Sequence, residues 1–523
     1  MTGSPFKFIK IAILYGGFYL FSVLLFSRSL ADNDLWGYLS FGRIFWEDGY
    51  FPFRDVFSYT PTKPVWVYHE WLTGVFFYLI YKYSGPAGLQ LLHYVIILLT
   101  ICLMYITALR KGGSPLSASL ALIPAMLLMS FGYVPVRAQI FTYLFFILTL
   151  YILESANKTQ KWSVLWWLLP IQVLWCNLHG GFVAGLGLVF LYALGEGFSG
   201  RKAVPYVKIG IPAILVTLIN PYGIKYWVYT LHAVLMPRPE VDEWMSVITA
   251  LKYRVQDVPV LIFLSLSLLC SVSLIFRRER NLTDLLVIGV TIYLGCKSIR
   301  HGVLFGLVFG SHLPVVLSQY WKAWRAKRIF FSIPSWVPQF MPVALLFFLY
   351  VLINPSLSLR AVPNFALWTP SPHFPVGAIH WIKEKHVQGN ILPHFDWGEF
   401  LIWRCYPVCR VAMDGRYETV YEEQVYREYF DFLNGREKWD VFLRKYPHDM
   451  VLIKPNTRTH LLMLKEPSWW VAYADQGCVL FLNKKPPTLP SPSRDCAIIR
   501  HAREGGHPGR RNYSKKTATR HNG

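Results

Sequence analysis

Eleven apolar runs, some of them short for a membrane crossing, divide the first two thirds of the chain. They are Ile9–Phe26, Leu89–Ala108, Pro115–Tyr133, Ile140–Leu153, Ser163–Cys176, Phe182–Leu194, Val204–Ile219, Pro259–Ile275, Leu285–Cys296, Val303–Leu317 and Phe340–Ile353. Unbroken hydrophobicity on this scale predicts helices that cross a bilayer core. A weaker run, Trp66–Tyr83, is interrupted by His69 and Glu70 and reads as a re-entrant or surface-lying segment.

Charge sorts the connections. With a cytoplasmic N-terminus and no crossing by the weak run, Arg110-Lys111, Lys158 with Lys161, Arg201-Lys202, Arg277-Arg278 with Arg280, and the Lys322–Arg328 cluster all fall inside. The positive-inside rule asks for that arrangement. Counting the weak run as a crossing would put every later cluster outside, so the parity favours 11 spans, or 13 if two more are hidden. The outer face then receives the acidic loop 28–68, Arg137, His179, Asn220-Pro221-Tyr222, Arg300-His301 and everything after about Pro355.

Past Pro355 the polarity becomes mixed. Helices are expected at Pro375–Lys385, Tyr421–Leu433 and Lys438–Lys445, strands at Arg410–Met413 and Met450–Lys454, and a hairpin around Trp470–Asn483. This reads as an α/β domain of ~130 residues, within the usual domain range. The expected architecture is mostly α: a polytopic transmembrane helical bundle (1–354) followed by an extracytoplasmic α/β domain (355–485). A disordered, basic tail (486–523) closes the chain.

Composition agrees. The 523 residues are 54% hydrophobic and only 16% charged, and 20 Trp with 31 Tyr suit interfacial belts. The net charge of +22 is scattered between spans, with no basic patch of the kind nucleic acid requires. Cys102, Cys176, Cys270 and Cys296 lie within apolar runs as small buried residues, while Cys405 and Cys409 are placed to pair. Ser29-Leu30-Ala31 resembles a signal-peptide cleavage site, but the first run is read as an uncleaved helix.

The loop from Asp32 to Leu72 is long, aromatic and acidic, so it is expected to fold against the bilayer surface. Asp34 soon after the first run, Trp36, Gly42, Pro52-x-x-Asp55, Phe57-Ser58 and His69-Glu70-Trp71-Leu72 together resemble the first outer loop of GT-C glycosyltransferases. By hydrophobic layout the resemblance extends over roughly residues 1–350. Members of that superfamily, among them protein O-mannosyltransferases and lipopolysaccharide-modifying transferases, move a sugar from a polyprenyl-phosphate carrier to an acceptor. The resemblance implies a bacterial inner-membrane enzyme acting at the outer face. Its partners would be a polyprenyl-phosphate sugar, membrane lipids and a glycan, lipid or protein acceptor.

Within that frame Asp34 is the general base, or holds a divalent cation against a lipid diphosphate; as the third residue of Asp32-Asn33-Asp34 it would also suit a helix cap. Asp55 is a second catalytic carboxylate or a turn residue. His69 and Glu70 face the reaction centre or anchor the interface. Arg137 and Arg300 offer guanidinium to the lipid phosphate, although a snorkelling anchor also explains Arg137. His179, beside Gly180-Gly181, contacts carrier or acceptor or is structural. Asn220-Pro221-Tyr222-Gly223 opens a second long segment, to Val258, that would cover the site. No Walker A, G-x-G-x-x-G, H-E-x-x-H or G-x-S-x-G pattern occurs, which favours a lipid-linked donor over a nucleotide sugar. A lipid-linked glycan flippase and a non-catalytic assembly protein of the same fold are the alternatives, although no internal repeat supports a transporter.

Overall fold

The computed structural model describes residues 30–132, 136–236, 238, 240–255, 257–275, 281–326 and 365–483, with parts of a helix at 16–27. Most of the runs Ile9–Phe26 and Phe340–Ile353, the stretch 355–364 and the tail 486–523 lie outside the described residues.

The remaining nine runs all become helices. After α1 (Leu35–Glu47) come α2 (Trp71–Arg110), α3 (Pro115–Gly132), α4 (Gln139–Thr159), α5 (Leu168–Leu178, entered through a 3-10 turn), α6 (Phe182–Phe198) and α7 (Val204–Val216). The second half adds α8 (Ile224–Leu235), α9 (Val247–Tyr253), α10 (Asp257–Ile275), α11 (Leu282–Lys297) and α12 (Gly302–Ala326). Five described helices have the length and hydropathy to cross a membrane, and three shorter apolar ones accompany them.

The weak run is not a separate segment. It forms the first half of α2 and continues into the span at Leu89–Ala108 through a kink, where Gly85 takes φ 62° ahead of Pro86. Only glycine enters that region freely, and proline withholds the next backbone donor, so the dipeptide bends the helix without ending it.

A second departure concerns the loop at 28–68. Its first part is α1, which buries Leu35, Leu39 and Phe41. It lies so close to α2 that a Cβ on Gly42 would stand 2.2 Å from the carbonyl oxygen of Gly74. The rest of the loop is folded against the C-terminal α/β region. Val411 donates its N–H to Phe57 at 3.1 Å and accepts from Tyr59 at 3.2 Å, so the loop adds a short parallel edge to the sheet. Asp55 is buried there, paired with Arg416, whose guanidinium also meets Asp414 at 2.6 Å and stacks over Phe57 and Trp66.

That sheet has the order β2-β1-β3-β5-β4, built from β1 (Gly389–Pro393), β2 (Cys409–Val411), β3 (Met450–Ile453), β4 (Trp469–Ala474) and β5 (Val479–Asn483). The first three strands are parallel, and the β4–β5 hairpin closes the sheet antiparallel. Helix α13 (Val376–Glu384) falls where expected, and α14 (Gly398–Cys405) packs on α1. Strand β1 has no counterpart in the sequence reading, because its five residues begin with glycine and end with proline, both turn signals. Cys405 and Cys409 are buried as free thiols, hydrogen-bonded to one another.

Candidate functional site

Five of the polar residues singled out in the sequence converge at one end of the bundle. Asp34 stands at the N-terminus of α1, Glu70 at that of α2 and Arg137 just ahead of α4. His179 ends α5, and Arg300 sits on the 3-10 turn before α12. The helix does begin at Leu35, yet the Asp34 side chain makes no capping hydrogen bond. It turns to Arg137 instead, and capping therefore does not explain this carboxylate.

Arg137 is the hub. It contacts Asp34 Oδ2, lies 3.6 Å from Asp32 Oδ1 and grips Glu243 through two bonds of 3.1 and 3.3 Å. Arg300 reaches the same Glu243 carboxylate at 2.9 Å and stacks 4.5 Å over Trp244, whose ring also carries Arg238 at 4.3 Å. The two guanidinium groups expected to hold a phosphate thus converge on one internal anion. Glu243 belongs to the second long segment, which is fixed over the site by Arg238–Glu418 at 2.6 Å and Glu240–Arg436 at 3.0 Å.

Beside this group, Glu70 lies 3.5 Å from His69 Nε2 and 3.3 Å from His179 Nε2. Gly181 donates its backbone N–H to His179 Nδ1 at 2.9 Å. That bond fixes the tautomer, so Nε2 carries the hydrogen that faces Glu70.

The charges respond to burial and to each other. Burial pushes Asp32 up to about 7 against the pull of Arg137. It also raises Asp34, again opposed by Arg137, with Glu243 and Glu70 adding to the rise. Glu243 goes the other way: burial is outweighed by Arg137 and Arg300, which hold it at about 2. Glu70 is held at about 2 because the His69 imidazole overcomes its burial. His179 is driven by burial down to about 3 and stays neutral.

A cavity of about 280 Å³ opens onto Asp32, Asp34, Arg137 and Glu243; Glu70, His179 and Arg300 do not line it. Asp34, Arg137 and Glu243 line one side; Asp396, Glu399 and Gly415 of the C-terminal region line the other. Asp55 is not part of its wall, being engaged with Arg416. Glu243 and Glu399 were not identified from sequence as site residues. The available signal for Glu399 was an acid inside Trp397-Gly398-Glu399-Phe400-Leu401, a stretch otherwise buried. Among the described residues, the one group of three metal-type donors within 4.8 Å of each other, Glu154, Asp284 and His312, lies at the far end of the bundle.

Neither a family model nor a curated protein sequence matches the chain. Solved structures do match in shape. The oligosaccharyltransferase of Archaeoglobus fulgidus, solved in complex with Zn and sulfate, superposes with a TM-score of 0.51 over 91% of this chain and 74% of its own, at 12% identity. The fold is of the GT-C type. ArnT from Cupriavidus metallidurans is similar over 94% of this chain and all of its own when bound to undecaprenyl phosphate, with TM-score 0.48 and 15% identity. Its apo form gives 0.45 and 14%, over 91% of this chain and 97% of its own. Within the GT-C fold, the acidic first loop and the α/β region meet across the cavity.

Proposed function

We propose that this chain is a membrane glycosyltransferase that moves a sugar from a polyprenyl-phosphate carrier to an acceptor at the outer face of the inner membrane. One observation carries the reading. A carboxylate at a helix N-terminus is left out of capping and held in a cavity, with a raised proton affinity, against Arg137, whose partner Glu243 also binds Arg300. Phosphoryl oxygens suit the paired guanidinium groups of Arg137 and Arg300. An acceptor proton suits Asp34, whose elevated affinity brings a carboxylate nearer to the range useful in general base catalysis.

The transfer then runs in one displacement. The acceptor oxygen attacks the anomeric carbon, the bond from that carbon to the phosphate oxygen breaks, and its electron pair leaves with the polyprenyl phosphate. Asp34 takes the acceptor proton. Arg137 and Arg300 neutralise the charge that grows on the leaving phosphate. His179 and Glu70 form an oriented pair at the same end of the bundle, available to steady the carrier or acceptor. Domain boundaries at 354 and 485 are part of the same proposal, with the α/β region serving as the cavity's outer wall.

The deciding experiment is transfer in reconstituted membranes from radiolabelled polyprenyl-phosphate sugars, comparing wild type with correctly inserted Asp34→Asn. The reading expects transfer by wild type and a loss of at least ~100-fold in the variant. Equal rates would remove Asp34 from the chemistry.

A further inference from the structure

Helix α1 carries an unusual cap. Its early N–H groups have no partner within the helix, and Asp34, the residue positioned to cap them, is turned away. The donor at Gly37 is met instead from the C-terminal region, 362 residues later in the chain, by Glu399 Oε2 at 3.1 Å. The approach is so close that a Cβ on Gly37 would sit 2.3 Å from that oxygen. Glu399 is 5% exposed and lines the cavity together with Asp34.

The remaining oxygens of the two acids face one place. Asp34 gives Oδ2 to Arg137, which leaves Oδ1; Glu399 gives Oε2 to Gly37, which leaves Oε1. A Cβ on Gly415 would lie 3.0 Å from Glu399 Oε1 and 3.4 Å from Asp34 Oδ1. Gly415 therefore keeps open a small space flanked by both. Glu399 is surrounded there by Asp34, Asp414, Arg416 and Tyr68. Burial, followed by the Asp34 and Asp414 carboxylates, raises the proton affinity of its carboxyl well above the usual range, which favours the neutral acid. With Oε2 accepting from Gly37, Oε1 is the oxygen left to carry a proton beside that space.

We infer that Glu399 is a positioning residue that selects an alcohol as acceptor: one hydroxyl donates to Asp34 Oδ1 and accepts from Glu399 Oε1 beside Gly415. This rests on the sugar-transfer reading above. A hydroxyl oxygen both gives and receives a hydrogen bond, whereas an amide nitrogen only gives. In the transfer the acceptor oxygen bonds to the anomeric carbon, the phosphate oxygen departs with the electron pair of the broken bond, and the acceptor proton passes to Asp34. Glu399 keeps its own proton throughout.

The test uses full-length protein in vesicles with radiolabelled polyprenyl-phosphate hexose. The acceptor probes are methyl glucoside and N-acetylserine amide, which carry hydroxyls, and N-acetylasparagine amide, which does not. Glu399→Gln keeps a neutral donor and acceptor in place and is expected to transfer within about threefold of wild type. Glu399→Ala and Gly415→Ala should raise the KM for the alcohols by about tenfold, the scale of one lost hydrogen bond, while leaving the donor KM alone. An unchanged alcohol KM in both variants, a donor KM that moves in step with it, or a Gln variant as impaired as Ala overturns the proposal. Transfer by wild type to the amide and to neither alcohol overturns it while leaving sugar transfer standing. No transfer to any probe removes both.

Discussion

The same helices carry a group of buried charge at each end, and the two groups are built differently. At the far end Lys111 bonds Asp284 at 2.8 Å and Glu154 at 2.5 Å, while His312 Nε2 faces Asp284 at 3.0 Å. His312 Nδ1 also donates to the Val308 carbonyl at 2.9 Å, so the ring bridges that carbonyl and Asp284. Each acid thus has a partner on both sides, with Tyr192 donating to Glu154. The ammonium of Lys111 bonds both carboxylates of that donor group. Around Arg137 and Arg300, by contrast, Asp32, Asp34 and Glu243 share the two guanidinium groups, and a cavity opens beside Asp32, Asp34, Arg137 and Glu243. A filled cluster holds helices together. One beside a cavity is arranged for something that arrives.

The contrast is broken most forcefully at the closed end. Lys111→Met strands two buried carboxylates and should cost about 3–5 kcal/mol of stability, read as thermal unfolding in detergent, with no selective effect on transfer. At the open end Asp34→Asn should do the reverse, lowering kcat by ~100-fold at a near-normal melting temperature. Asp55→Asn is expected to resemble the closed end. It weakens the Arg416 ion pair, so about 1–3 kcal/mol of stability goes while kcat per folded molecule is retained. If Asp55→Asn abolishes transfer in a folded protein, the carboxylate does belong to the chemistry.

The smaller effects concern proton and phosphate. Asp34 acts as a base only when ionised, so its raised affinity predicts activity that falls as pH drops through a midpoint above the ordinary Asp value. Arg137 opposes that rise; Arg137→Gln should therefore move the acidic limb of the kcat profile to higher pH. Glu243→Gln removes the internal anion from Arg137 and Arg300 and should tighten donor binding a few-fold, read as a lower donor KM. A weaker donor KM would mean that Glu243 arranges the arginines and does not compete for them.

Much of the bundle is legible in the chain because continuous hydrophobicity is a local property. Nine apolar runs are nine helical stretches, and the C-terminal hairpin and β3 fall within a residue or so of expectation. The merging of the weak run with its neighbour was not legible, since Lys82-Tyr83-Ser84 and Gly85-Pro86 interrupt the hydropathy that the kink leaves physically continuous. In the site, Asp34, Arg137 and Arg300 were found as charges out of place in an apolar chain. Glu243 and Glu399 were not, because what makes them matter is their company. Glu243 is defined by arginines from two other segments, and Glu399 by a glycine 362 positions away. No pattern in the chain records such meetings.

The pairing of Asp55 with Arg416 also has a consequence in time. The two lie 361 positions apart, and at ~5–20 residues per second a ribosome needs roughly 20–70 s to make the second after the first. Through that interval the early loop has no sheet to join, α1 lacks its cap, and the cavity has one wall. A chain still in synthesis therefore lacks a completed cavity, and one released before Arg416 stays in that unfinished state.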